Sequence, residues 1–335
     1  MVMPNFMFSA GQSYSFPTVS YAADNVAFGA SDYCAASVNS SRIRFTRPTV
    51  DGQGFEYANP GARVRFRTDS ESINFRLDYT NLVTRPDTYN GVGLILVDGV
   101  QVDTFNRAQG AAGQISKMVV FGSTATRTIE LVMPYCASVD FLGVDLVAGA
   151  TLSASPARTA TRYVAIGDSI THGFVVSDVG KEWAYKLAEA KGWQLINHGY
   201  GGRQCAPADG TTLAALNPDV ATYLIGYNNF YPQTPLATFK ASFKSFINNF
   251  RAVNTTTKLY CITPTWTPNS FGALTIEMYR QQIMDALTEL GNPLNILVEG
   301  EALATSSVSR FPDNVHPNDI GAAEIAASLQ SIVVV

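Results

Sequence analysis

The sequence predicts two domains of different class: a β-sandwich or jelly roll over residues 1–150, then an α/β domain with a parallel sheet over 161–335. Three observations predict it. Hydrophobic residues in the first half alternate one by one with polar ones. A small-residue stretch, 148–160, then interrupts the pattern, and residues 151–160 read as a linker. Beyond it, short apolar runs alternate with amphipathic helical segments, the order that builds a parallel sheet covered on both faces.

In the first half, Ile73, Phe75, Leu77 and Tyr79 are interleaved with Asn74, Arg76 and Asp78. Successive side chains of a strand leave opposite faces, so a period of two marks a half-buried strand. Arg63, Arg65 and Arg67 alternate with Val64 and Phe66 in the same way. Residues 94–97 and 100–102 flank Asp98-Gly99, a pair that tolerates positive φ and so favours a two-residue hairpin. Further strands are expected at 42–46, 118–121, 128–133 and 141–147.

In the second half, 163–166, 195–197, 220–225, 259–263 and 296–298 read as buried strands. Between them, 182–191 reads as a helix closed by Gly192. Thr234-Pro235 suggests a helix start, with proline at the first helical position, and Phe239, Phe243, Phe246, Ile247 and Phe250 on one face. A helix carrying Ile276, Ile283, Leu287 and Leu290 follows, and a last one begins near Asp319.

At 335 residues the chain is comfortable for two domains. With 46% hydrophobic and 15% charged residues, it is neither a disordered chain nor a coiled coil. A formal net charge of −4 exerts no overall pull on nucleic acid or an anionic membrane. No apolar run approaches the roughly 18 residues that span a bilayer, so membrane insertion is not expected. The first residues lack the basic-then-apolar pattern of an export signal. Cys34, Cys136, Cys205 and Cys261 contain no Cys-x-x-Cys pair; one disulfide per domain or four reduced thiols both fit.

Four segments place reactive groups where strands of the second half end, the usual location of function in such sheets. Gly167-Asp168-Ser169 follows the first strand. Asn197-His198-Gly199-Tyr200-Gly201-Gly202 follows the second, and its glycines would let a backbone N–H approach a ligand closely. Gly226-Tyr227-Asn228-Asn229 follows the third, where a side-chain amide could donate to developing negative charge. Asp313-Asn314-Val315-His316 precedes the last helix; an aspartate three residues before a histidine can fold back onto Nδ1 and leave Nε2 to accept a proton. Taken singly, each is an ordinary loop string.

Together they resemble the SGNH (GDSL-like) hydrolase superfamily over roughly residues 160–335, in order, spacing and strand-end context. The family's four blocks match Gly167–Ser169, then Asn197 with Gly202, then Gly226 with Asn228, then Asp313 with His316. The resemblance implies a flavodoxin-like domain and a serine esterase: Ser169 as nucleophile, His316 as base and Asp313 as its orienter. It implies an oxyanion hole from the N–H groups of Ser169 and Gly202 and the amide of Asn228, with no metal or organic cofactor. One departure is Asn229, where the family often has aspartate. The layout of a jelly roll before such a domain resembles carbohydrate esterase family two, which implies an O-acetylesterase acting on an acetylated carbohydrate.

Arg203, Tyr227, Tyr231 and Trp266 lie in loops expected to rim the pocket and contact substrate. His172 is a weaker substrate contact, and His198 is expected to be structural. Two alternatives stay open: a lipase- or thioesterase-like acylhydrolase for longer acyl chains, or a carbohydrate-binding or structural protein on an inactive esterase scaffold. A polymeric carbohydrate substrate favours an extracellular, cell-surface or particle-associated location. Oligomeric state is not legible.

Overall fold

The computed structural model describes residues 17–47, 58–82, 91–107, 111–158 and 161–335. The stretch 1–16, read above for an export signal, and the last two linker residues lie outside the described residues.

The first half forms twelve strands: β1 (Thr18–Ala22), β2 (Gly29–Ser31), β3 (Ala35–Asn39), β4 (Arg42–Thr46), β5 (Arg63–Thr68), β6 (Ser72–Leu82), β7 (Gly93–Val97), β8 (Val100–Phe105), β9 (Gly113–Val120), β10 (Arg127–Val132), β11 (Ala137–Val147) and β12 (Leu152–Ser153). They make two antiparallel sheets. One has the order β3-β4-β11-β6-β9 with β1 also on β11; the other has β12-β5-β10-β7-β8 with β2 also on β5. The alternation reads out directly. Ile73, Phe75, Leu77 and Tyr79 of β6 meet Val64 and Phe66 of β5 in one core between the sheets. At the β7–β8 hairpin, Asp98 and Gly99 take the positive φ values, 50° and 80°, that the turn requires. The expected linker begins inside this half, because β12 pairs with β5.

The second half is a five-stranded parallel sheet: β13 (Arg162–Gly167), β14 (Gln194–Gly199), β15 (Val220–Leu224), β16 (Lys258–Ile262) and β17 (Asn295–Val298), in the order β14-β13-β15-β16-β17. This is the flavodoxin-like order. Its helices are α1 (Ser169–His172), α2 (Trp183–Lys191), α3 (Pro207–Ala214), α4 (Tyr227–Phe230), α5 (Leu236–Val253), α6 (Ile276–Leu290) and α7 (Asp319–Ile332). The phenylalanines of α5 pack with Tyr279 and Ile283 of α6 on one face of the sheet, while α2 and α7 cover the other. α5 starts one residue later than expected: Pro235 has ψ 132°, outside the helical range, and is the flanking residue rather than the first turn. α3 and β1 to β3 carry no strong period and were not expected. β3, AASVN, is a largely exposed edge strand of small and polar residues, which leaves no alternation to read.

The halves share a core. Leu94, Leu96, Val132, Tyr135 and Cys136 of the first pack with Tyr163, Trp183, Ala184, Leu187 and Leu195 of the second. Beside this apolar seam, Arg63 is 2% exposed and pairs with Asp32, Glu130 and Glu189, and Arg158 joins the same carboxylates. Two of the outward arginines of β5 thus answer carboxylates at the seam, Arg63 as above and Arg65 through Glu130. All four cysteines are free.

Candidate active site

In an open parallel sheet, a crevice forms where the connections of neighbouring strands leave in opposite directions. Here that point is between β13 and β15, and the chain carries Ser169 from the end of the first and Asn228 from the end of the second. Asp168 caps the short turn α1, its Oδ1 accepting from the Ile170 N–H at 3.0 Å, which fixes Ser169 at the first helical position.

Ser169 Oγ is 2.6 Å from His316 Nε2, and His316 Nδ1 is 2.6 Å from Asp313 Oδ2. An ionised carboxylate only accepts, so Nδ1 carries the proton and Nε2 is free to take one from the serine. The Asp-x-x-His spacing works because Asp313 Oδ1 also accepts from the N–H groups of Val315 and His316, at 3.0 and 2.7 Å, folding the segment into a closed turn. Burial alone would raise the Asp313 carboxyl; the His316 ring and these two N–H donors outweigh it and hold it below the usual carboxylate value. Phe174 lies against the imidazole, ring centroids 5.6 Å apart, and limits its rotation. Sequence reading did not single out Phe174, and no local signal would have found it.

The second and third segments converge beside the serine. Gly199 lies flat against α1: a Cβ there would meet the His172 nitrogen at 2.2 Å, so only glycine allows this approach. Gly202 has φ 80° in the exposed turn that follows. The Asn228 amide nitrogen is buried with no hydrogen-bond partner in the protein, so an acceptor from outside the chain would satisfy it. Asn229 is buried instead, and its Oδ1 accepts from the Cys205 N–H at 3.0 Å, tying the Gly202 loop to the end of β15. The amide oxygen supplies the acceptor that this loop needs, so the departure from aspartate leaves the tie in place.

Asn197 forms a buried bracket, donating to the Thr171 carbonyl at 2.8 Å and to Glu182 Oε2 at 2.9 Å while accepting from the Gly199 N–H at 2.9 Å. Burial pushes the Glu182 carboxyl well up. Burial also pushes Asp168 up to about 6.

The expected rim is only partly there. Arg203 is 1% exposed and faces the protein: it donates to the carbonyls of Gly167 and His198 and to His198 Nδ1. A loop position does not say which way a long side chain turns, and three acceptors on the protein side decide it. His172 is likewise fully buried, with Nε2 donating to the Tyr135 carbonyl at 2.5 Å, so it does not reach a ligand. His198, buried beneath Arg203, is structural as expected. Tyr227 is half-buried within electrostatic reach of Asp313 and Asp168, and its hydroxyl accepts from Asn269 at 2.8 Å. Tyr231 is exposed and meets Phe271 edge to face; Trp266 is half-buried against Phe311. Among the described residues, no group of three His, Cys, Asp or Glu could hold a metal ion, and no helix is long and apolar enough to cross a membrane.

Residues 165–323 match the model of the GDSL-like lipase/acylhydrolase family. The second half is therefore a GDSL-like (SGNH) hydrolase domain. No curated protein matches the chain in sequence. Among solved structures, the chain is similar to a salicylyl-acyltransferase from a tetracycline biosynthetic pathway, at 20% identity over 93% of this chain and 95% of that one, TM-score 0.77. It is similar to a GDSL-like lipase from Bacteroides ovatus, at 14% identity over 94% and 97%, TM-score 0.80. It is also similar to a family two carbohydrate esterase from Cellvibrio japonicus, at 13% identity over 95% and 97%, TM-score 0.70. At these identities the likeness is one of fold, and it extends over both halves of the chain.

Proposed function

We propose that this chain, whose second half is a GDSL-like hydrolase domain, is a serine esterase that removes acetyl groups from a carbohydrate. The observation that carries the reading is the Ser169–His316–Asp313 relay, with both contacts at 2.6 Å, together with a buried amide on Asn228 that has no protein partner.

In the first step, Ser169 Oγ attacks the ester carbonyl as its proton passes to His316 Nε2. Charge develops on the carbonyl oxygen and is met by the N–H groups of Ser169 and Gly202 and by the Asn228 amide. Collapse of the tetrahedral intermediate expels the alcohol, which takes the proton from His316 and leaves an acyl group on Ser169. Water then attacks, giving its proton to His316, and the second collapse releases the acid and returns the proton to Ser169. Asp313 holds the imidazole orientation throughout. Side chains and water suffice for this cycle, with no metal or organic cofactor.

The carbohydrate part rests on the fold likeness to a family two carbohydrate esterase and on Tyr227, Tyr231 and Trp266, whose rings suit stacking against a sugar. In the β half, the orders β4-β11-β6-β9 and β5-β10-β7-β8 support the jelly-roll reading, since two interleaved Greek keys place strands in this way. An acetylated polysaccharide as substrate would place the protein outside a cell, at its surface or on a particle. The test compares p-nitrophenyl acetate, p-nitrophenyl octanoate and an acetylated xylo-oligosaccharide. Preference for the two acetyl esters is expected; preference for octanoate would move the reading to a longer-chain acylhydrolase. Release of acyl groups mainly onto an added alcohol would indicate an acyltransferase.

A further inference from the structure

The catalytic reading accounts for the loop after β14 but not for what holds it. Tyr200, the residue before the two glycines, is completely buried. The Arg47 guanidinium lies 4.1 Å from its ring centroid and that of Arg203 lies 5.1 Å from it. Arg203 comes from the same loop, but Arg47 comes from the β half, just beyond β4. Its Nη1 donates to the Gly199 carbonyl at 2.7 Å and, more weakly, to the Asn197 carbonyl at 3.3 Å. Arg47 is 3% exposed. Taking a guanidinium out of water is expensive, and it persists only where well-placed partners answer it.

The loop that Arg47 grips is tied to both other parts of the site. The Tyr200 N–H donates to the Gly167 carbonyl at 2.9 Å, two residues before the nucleophile. The Arg203 N–H donates back to the Tyr200 carbonyl at 3.2 Å, closing the turn that contains Gly202. Cys205 is fastened to Asn229 at the end of β15. A shift of Gly199 and Tyr200 would therefore move the Gly202 N–H relative to Ser169. The β half holds the nucleophile side as well: the Tyr135 carbonyl accepts from His172 of α1, and the Tyr135 hydroxyl donates to the Val176 carbonyl at 2.8 Å.

We propose that Arg47 is a positioning residue supplied by the β half, which sets the Gly202 N–H at the distance a developing oxyanion requires. The proposal rests on the reading of Gly202 and Asn228 as oxyanion donors. It gives the β half a part in the chemical step for every ester, including small aryl acetates that touch no sugar subsite.

The experiment measures kcat and KM on p-nitrophenyl acetate for Arg47→Lys, Arg47→Ala, Asn228→Ala and the Arg47→Lys/Asn228→Ala pair, with near-ultraviolet circular dichroism to check the fold. Lysine keeps a cation near Tyr200 but loses the planar guanidinium that sits over the ring while its Nη1 reaches the Gly199 and Asn197 carbonyls. A misplacement of about 1 Å costs up to about 100-fold, so kcat should fall roughly 10- to 100-fold in both Arg47 variants, with KM little changed. Because both sites serve one oxyanion, the pair should lose less than the product of the single losses. Three results would overturn the proposal: folded Arg47→Lys with kcat within about threefold of the parent, losses that multiply to within about twofold, or failure of both Arg47 variants to fold. Parental activity in Asn228→Ala and in Ser169→Ala would instead defeat the catalytic reading itself.

Discussion

The two ends of β14 show how one strand can serve stability at its start and chemistry at its finish. At its start, the Leu195 N–H donates to Asp32 at 2.7 Å, and Asp32 is in turn answered by Arg63 and Arg158. Every charge in that cluster, with Glu130 and Glu189, has an opposite charge beside it. At its finish, past Gly199, the Asn228 amide and Asp168 Oδ2 are buried with no hydrogen-bond partner in the protein. Unanswered buried polar atoms cost folding free energy, and a ligand oxygen at the site would answer the amide. A dense ionic cluster marks the seam, and the site holds one unmet amide donor and one unmet carboxyl oxygen.

Damage at the two ends should therefore differ in kind. The largest loss of rate is expected from Ser169→Ala, on the order of a thousandfold or more in kcat with an unchanged thermal midpoint. Arg63→Ala should do the reverse. It takes the nearest cation from the buried Asp32 and Glu130 carboxylates and leaves them the longer contacts to Arg158 and Arg65. The cost should be up to about 3–5 kcal/mol in chemical denaturation, while the folded fraction keeps its kcat/KM. A selective loss of kcat in Arg63→Ala would erase the distinction between the ends.

Asn228→Ala should lower kcat by roughly 100- to 1000-fold with little change in KM, since the amide matters once charge has formed on oxygen. Asn229→Ala acts only through the Cys205 tie and should be milder. An exchange of severity between the two would reassign the oxyanion donor.

Asp168→Asn sharpens the comparison through pH. Burial raises the Asp168 carboxyl from its usual range to about 6, so the fold prefers the protonated form. Stability from this group is therefore fully present below the unfolded value, near 4, and is lost as pH rises through about 6. Asparagine still caps α1 and cannot ionise. The variant should gain up to about 3 kcal/mol over the parent above pH 6, an advantage that vanishes toward pH 4. Denaturation midpoints of both proteins at pH 4 and pH 8 check it; a gain that does not depend on pH would contradict the assignment.

Much of this was legible in the chain because it was local. β6 announced its buried face through Ile73, Phe75, Leu77 and Tyr79, and the hairpin at Asp98-Gly99 needed only two residues to be read. Ser169, Asn228, Asp313 and His316 were readable because each sits in a short string at a strand end or helix start. Residues whose role depends on a distant partner gave no such sign. Arg47 grips a loop about 150 positions away, Tyr135 holds α1, and Asp32 caps the start of β14. Arg203 was misread for the same reason: its loop was evident, but the buried carbonyls that turn it inward were not.

The central claim is that Ser169 is the nucleophile, activated by His316. Treating the native protein with a fluorophosphonate and mapping the adduct by mass spectrometry tests it most directly. The account predicts a single adduct on Ser169, lost in Ser169→Ala and strongly slowed in His316→Ala. An adduct on another residue, or none while ester hydrolysis persists, would contradict it.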